Sequence, residues 1–418
     1  MKLCHIYKTI AITVASVLLS ACDRGDIDFI DFTAIEGADQ SAFNVYAARI
    51  TDLSKGIPQD CPIPTDIDTK TTSTTINTLI QDLFEYNNKG KVIELSGTYS
   101  SMDLKTGKEI TLSGKVLLPK DRKPSRYILV SHYTIGSNAE APSNIFPLEG
   151  TLCNLGYAMI IPDYQGYGVD YKNIHPYLIM EQTAFDVYEM YDAVSKYLLN
   201  TEYRPEHDDI YLMGFSQGGA TTMAVQMLIE EYGLAPSIRQ VFAGGGPYDV
   251  RETYNNFITT NTVNIPPAVP YVIQGMVMGN DLDIDISKLL QPWIYEKMDE
   301  WINSKRYSTD QLRIMMGTTR TSDILTEEGM DPTSDAVAEL YKAMSENSIL
   351  SYSWVPKAPV YLFHSMNDDV VPFVNASKAK SKWKDANIQY NFGYYGSHKM
   401  ATLRFIYTVK KWLKAEGE

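Results

Sequence analysis

Ile210-Tyr211-Leu212-Met213-Gly214-Phe215-Ser216-Gln217-Gly218-Gly219 is the stretch from which the rest of the chain can be read. Ile210 to Met213 is a short apolar run with β character, and from Gln217 to Tyr232 the apolar residues return at helical spacing, closed by Gly233 at a C-cap position. Between them lies a turn too tight for side chains at Gly214 and Gly218, which lifts the Ser216 hydroxyl above a sheet edge. The backbone N–H of Gln217, at the start of the helix, points at the same space and is free to stabilise negative charge there. A strand, a sharp G-x-S-x-G turn and a helix together are the setting of an activated serine.

Working outward, further short apolar runs alternate with helical stretches. They are Tyr127 to Ser131, Ala158 to Ile161, Gln240 to Ala243, Val360 to Phe363 and Ile388 to Phe392. Thr183 to Leu199 is one of the intervening amphipathic helices. Continuous apolar strands with helical crossovers predict an α/β fold with a mostly parallel, doubly wound sheet covered on both faces. Before it, Val92 to Ser96 and Ile110 to Leu118 flank a turn at Lys105-Thr106-Gly107 and predict a long hairpin. From about Val250 to Leu350 the strand signals stop. Helices are expected there over Lys288 to Arg306, and over Asp331 to Glu346 with Asp331 as N-cap and Pro332 in the first turn. Such an insertion reads as a helical cap over the carboxyl edge of the sheet, where sites in these folds form. Its aromatic residues, including Tyr254, Phe257, Tyr271, Trp293, Tyr295, Trp301 and Tyr307, read by default as cap core.

A serine at its ordinary pKa is a weak nucleophile and needs a base, with a third group to orient that base. The chain has six histidines. In this type of fold the order is serine, acid, histidine, which leaves His364 and His398. His364 ends a strand and reads as structural, whereas His398 follows the last strand and is the candidate base. The acid belongs on the loop after the preceding strand, where Asp368 and Asp369 compete. Asp368, three residues before Val371-Pro372, is the candidate and Asp369 is expected to be solvated. Asp249 is a third carboxylate, whose plain reading is the turn into the cap. A second oxyanion donor is expected after Tyr127 to Ser131, with the N–H of Thr134 first and that of Tyr133 second, and His132 as a loop-packing residue.

These residues resemble the α/β-hydrolase superfamily and, within it, the secretory lipase family that includes Candida lipase A-like enzymes. Pro162-Asp163-Tyr164-Gln165-Gly166-Tyr167-Gly168, His175-Pro176-Tyr177 and Gly246-Pro247-Tyr248-Asp249 are similar to that family's PDYxGxG, HPY and GPYD motifs. Glu346-Asn347, then Trp354 to Val360, and then Asp368 to Pro372 resemble its approach to the acid. The resemblance runs from about Lys91 to the C-terminus. It implies Ser216, Asp368 and His398 as a triad, Gln217 and Thr134 at the oxyanion hole, hydrolysis of small-molecule carboxylic esters through an acyl-enzyme, and no metal or cofactor. One departure stands out: where the family has His-Gly-Thr, this chain has His132-Tyr133-Thr134, which puts a bulky ring beside the oxyanion loop. Competing readings are a serine peptidase or amidase of the same fold and a non-catalytic binding lipoprotein. The absence of a propeller-sized domain before the catalytic region argues against the first, and the intact serine, acid and histidine against the second.

The N-terminus is of another kind. Residues 1–21 carry Lys2 and Lys8 and then an apolar run from Ile10 to Leu19 too short to span a bilayer of roughly 30 Å, which is the layout of a signal peptide. Leu19-Ser20-Ala21-Cys22 resembles a bacterial lipobox. It implies lipid attachment at Cys22 and a lipoprotein held at the membrane of a bacterial cell envelope, on its periplasmic or cell-surface face. Residues 22–90 read as a tether and N-terminal extension, with a short helix near Thr75 to Tyr86, and residues 91–418 as the hydrolase domain with its cap at about 250–350. The chain has 418 residues, 44% of them hydrophobic, and a net charge of −14, a balance that repels phosphate backbones and excludes nucleic acid as a partner. Of the four cysteines, Cys61 and Cys153 remain as a possible disulfide in an oxidising compartment.

Overall fold

The computed structural model describes residues 28–29, 35–63, 73–84 and 90–417. The signal peptide and Cys22 lie outside them. Ten strands form one sheet among the described residues: β1 (Asp28–Phe29), β2 (Asn44–Asp52), β3 (Lys91–Asp103), β4 (Lys108–Pro119), β5 (Tyr127–Ser131), β6 (Ala158–Pro162), β7 (Ile210–Phe215), β8 (Ile238–Gly244), β9 (Val360–Ser365) and β10 (Ile388–Gly393). Their spatial order is β1-β2-β3-β4-β6-β5-β7-β8-β9-β10. From β6 to β10 all neighbours are parallel, while β1 to β4 are antiparallel and join the rest through β4 against β6.

The parallel strands β5, β6, β7 and β9 are buried on both faces, as their unbroken apolar runs require, while β10 at the edge is only half-buried. Leu129, Ile160, Leu212, Val241 and Leu362 join one apolar layer, against helices α2 (Met180–Leu198) and α3 (Gln217–Tyr232). The alternate residues Ile128, Met159, Met213, Phe242 and Phe363 join a second layer on the other face, with Phe405, Ile406 and Val409 of the C-terminal helix. Helix α1 (Ser73–Phe84) lies against that C-terminal helix, whose Lys410 ammonium donates to the Asp82 and Leu83 carbonyls in the last turn of α1.

Several sequence expectations change. β2 lies in a stretch without alternation, because most of its side chains are half-exposed or exposed. It is held by its ladder to β3 and also by charge: Arg49 pairs with the buried Glu94 carboxylate of β3 at 2.8 Å, and Lys115 of β4 reaches the same carboxylate at 2.8 Å. The helix expected over Lys288 to Arg306 is three short pieces, Ile286–Leu289, Pro292–Tyr295 and the wide turn Met298–Asn303. Pro292 lacks the N–H that would continue the first piece, and Leu290 is extended and bridges Leu325. The helix expected from Asp331 begins after Ser334, whose side chain accepts from Val337 N–H, while Asp331 accepts from Thr333 N–H in a turn.

Cys61 and Cys153 do not pair. Each is a free, buried thiol in the second apolar layer, and burial pushes both thiols well above their ordinary pKa. Among the described residues, no helix is long and apolar enough to cross a membrane.

Between β8 and β9 the chain is helical, with α4 (Val250–Thr260), α5 (Ala268–Gly279), α6 (Thr309–Met316) and α7 (Asp335–Glu346) as its longer members. Tyr254, Phe257 and Tyr271 are core in this insertion, whereas Trp293 and Tyr295 are exposed. The insertion touches the loops at the carboxyl ends of the strands. Lys305 O accepts from Asn138 N–H after β5 (2.8 Å), and the Asn264 side chain donates to Asp369 O after β9 (2.8 Å).

Candidate active site

The turn between β7 and α3 is compressed from both sides. A Cβ on Gly218 would stand 2.0 Å from Ser131 O of β5, one on Gly219 2.3 Å from Gly244 O of β8, and one on Gly214 2.2 Å from Gly218 O. Ser216, at the apex, has φ 59° and ψ −126°, a strained conformation for a residue with a side chain. Its own N–H donates to Gly244 O at 2.9 Å, which fixes the turn to β8.

Helix α8 (Val374–Lys382) follows β9, and the C-terminal helix α9 (His398–Gly417), after the last strand, brings a histidine to this apex. His398 Nε2 lies 2.8 Å from Ser216 Oγ, and its Nδ1 lies 2.7 Å from Asp368 Oδ2. Asp368 Oδ1 accepts from the N–H groups of Val370 and Val371 at 2.9 and 2.8 Å. Burial alone would raise this carboxyl, but the facing His398, its hydrogen bond, nearby His364 and the Val370 amide outweigh it and hold the group below its ordinary value. The carboxylate therefore stays ionised and accepts from the Nδ1 side of the imidazole, so that Nε2 is the ring atom facing the serine.

The other candidates take distinct places. His364 is buried, with Nε2 at 3.0 Å from Val371 O and 3.9 Å from Asp368 Oδ2. Asp369 is exposed, as expected, and its Oδ1 also accepts from His398 N–H at 2.8 Å, which anchors the first residue of α9. Asp249 is the N-cap of α4, accepting from Glu252 N–H, and pairs with Lys378. His132 stacks on Tyr164, and its two ring nitrogens face Tyr133 O and Asp163 O.

At the oxyanion side, Gln217 is the first residue of α3, so its N–H has no acceptor within the helix. The close approach of Gly218 to Ser131 and His132 presses this helix end against the loop that carries Tyr133 and Thr134. Tyr133 packs against the small cluster of Ile135, Ala141 and Tyr167. The Thr134 hydroxyl is bonded to the Tyr177 hydroxyl at 2.7 Å. A pairing that no spacing rule finds is that of His175 Nε2 with the Gln217 side-chain amide, 2.8 Å apart and 42 residues apart in sequence. Its only sequence signal is the HPY motif. Among the described residues, no cluster of three or more metal-ligating side chains occurs.

Residues 145–406 match the family described as Secretory lipase. A point variant of the rice cell wall degrading esterase LipA from Xanthomonas oryzae is similar in structure, with a TM-score of 0.69 at 21% identity, covering 79% of this chain and 92% of that one. Candida antarctica lipase A is similar with a TM-score of 0.55 at 16% identity, covering 75% of this chain and 74% of that one. No curated protein sequence matches the chain. The fold is that of the α/β-hydrolases, and with well over half of its residues matched the chain belongs to the secretory lipase family.

Proposed function

We propose that the chain is a serine hydrolase that cleaves carboxylic esters through an acyl-enzyme. The observation that carries this reading is the unbroken hydrogen-bonded line Asp368–His398–Ser216 with its serine on a strained elbow. Ser216 Oγ attacks the ester carbonyl carbon while His398 Nε2 takes its proton, and Asp368 stabilises the imidazolium that forms. The oxyanion is held by the N–H groups of Gln217 and Thr134. As the carbonyl re-forms, the C–O bond to the alcohol breaks and His398 returns the proton to the leaving oxygen. A water then attacks the acyl-enzyme with His398 again as base, the ester bond to Ser216 breaks, and the carboxylic acid leaves.

The test is a comparison of p-nitrophenyl acyl esters of increasing chain length with aminoacyl anilides, each with wild-type protein and Ser216→Ala. Ester cleavage that vanishes in Ser216→Ala supports the reading, and cleavage of anilides alone would assign a peptidase or amidase instead. We further propose that Cys22 carries lipid and holds the enzyme at a bacterial envelope membrane. Replacing it in Cys22→Ser should move the protein from the membrane to the soluble fraction, and an unchanged distribution contradicts the anchor.

A further inference from the structure

His175-Pro176-Tyr177 takes no part in the line that activates the serine, yet its two polar side chains reach the two residues assigned to the oxyanion hole. His175 Nδ1 lies 2.7 Å from Gln165 O, an acceptor, so Nδ1 carries the ring proton. Nε2 then presents a lone pair, and the Gln217 side-chain amide donates to it at 2.8 Å. Burial, with the Lys305 ammonium nearby, pushes the imidazole down to about 3, so it remains neutral. Two residues on, the Tyr177 hydroxyl meets Thr134 Oγ1 at 2.7 Å. Between them Pro176 has a fixed φ, and Tyr177 N–H donates back to His175 O at 2.8 Å, so one restrained turn of backbone carries both side chains.

This turn is wedged between the catalytic domain and the insertion. A Cβ on Gly166 would stand 2.6 Å from His175 N, and one on Gly275 of α5 would stand 2.4 Å from Tyr177 O. Leu178, the next residue, is held at φ 60°, a strain that persists only where the surroundings over-determine the backbone. His175 and Gln217 are 6% and 2% exposed. Aliphatic side chains would fill that space without desolvating polar groups, so what the imidazole–amide pair adds is direction.

We infer that His175 and Tyr177 are positioning residues that set the spacing of the two oxyanion donors, one through the Gln217 side chain and the other through the Thr134 side chain. The inference rests on the ester hydrolase reading above. Donors of this kind act only within a few tenths of an ångström of their proper distance, and the loss should appear in the transition state while substrate binding is spared.

The experiment measures kcat and KM for p-nitrophenyl butyrate, Ki for a trifluoromethyl ketone that forms a hemiketal oxyanion on the serine, and the thermal midpoint. The proteins are wild type, Ser216→Ala, Tyr177→Phe, His175→Leu and His175→Gln, the last of which keeps an acceptor near the Nε2 position. Tyr177→Phe should lower kcat about tenfold and His175→Leu about 100-fold, with KM within about twofold and Ki rising by the factor by which kcat falls. His175→Gln should recover about tenfold of the His175→Leu loss. Unaltered kcat in Tyr177→Phe and His175→Leu, a rise in KM at constant kcat, or a fall in kcat with Ki unmoved would overturn the inference. If wild type is active and Ser216→Ala is not, such results reject the positioning role alone. A wild-type protein that cleaves no ester rejects the ester reading and this inference together.

Discussion

In the proposed mechanism Ser216, His398 and Asp368 act as one unit, so removing Ser216 or His398 should cost nearly as much as removing all three. Asp368→Asn preserves shape but loses the charge that holds the His398 proton on Nδ1, and it should lower kcat about 10⁴-fold with little effect on KM. Steady-state kinetics on a p-nitrophenyl ester checks this, and a loss smaller than tenfold would mean that another group orients His398. The serine and histidine were legible because G-x-S-x-G between strand and helix, and a histidine after the last strand, are local patterns. The division of work between Asp368 and Asp369 was only half legible. The sequence distinguishes them by their distance from Val371-Pro372, whereas the role of Asp369 depends on where His398 N–H arrives in space. The bond between His175 and Gln217 was not legible for the same reason, since it joins residues 42 positions apart with no periodicity between them.

At the scale of elements, the sheet and its two covering helices follow from runs that are apolar on both faces. The failures occur where another force sets the conformation. β2 is mostly half-exposed and is tied to β3 by its ladder and by Arg49 against Glu94, and the piece after Ile286 is broken by Pro292 and a bridge that only the folded insertion supplies. Two contacts between elements lead to measurable effects. Asp186 of α2 accepts from Ser101 of β3 at 2.7 Å and from Gln182 at 2.9 Å. Burial pushes its carboxyl up to about 8 against the lowering effect of those two hydrogen bonds. Because the folded value lies above the ordinary 3.8, its contribution to stability is fully present below pH 3.8 and is lost as pH rises to about 8. Asp186→Asn removes that dependence, so the thermal midpoint of the variant minus that of wild type should rise between pH 5 and pH 8.5. A difference that stays flat or falls would contradict the buried, protonated carboxyl. Lys410 is one tie between α1 and α9, beside the packing of Leu83, and Lys410→Met should lower the opening free energy of residues 73–84 by about 2 kcal/mol. Hydrogen exchange measures it, with unchanged protection there as the contrary result.

For the molecule as a whole, two apolar layers fix the sheet, and the helical insertion between β8 and β9 reaches the loops that carry the serine's partners. Lys399, next to His398, pairs with Asp310 of α6, and Asn264 holds Asp369 O, next to Asp368, so the insertion borders both ends of the His398–Asp368 pair. The insertion was legible as a loss of strand signal, but its contacts were not, because they depend on loops folding over one another. The central claim is that this arrangement makes Ser216 a nucleophile. It is tested most directly by incubating the folded protein with a fluorophosphonate probe and locating the adduct by peptide mass spectrometry. The expected result is one adduct, on the peptide containing Ser216, absent in Ser216→Ala and formed far more slowly in His398→Ala. An unlabelled wild-type protein, or an adduct that persists in Ser216→Ala, would contradict the account.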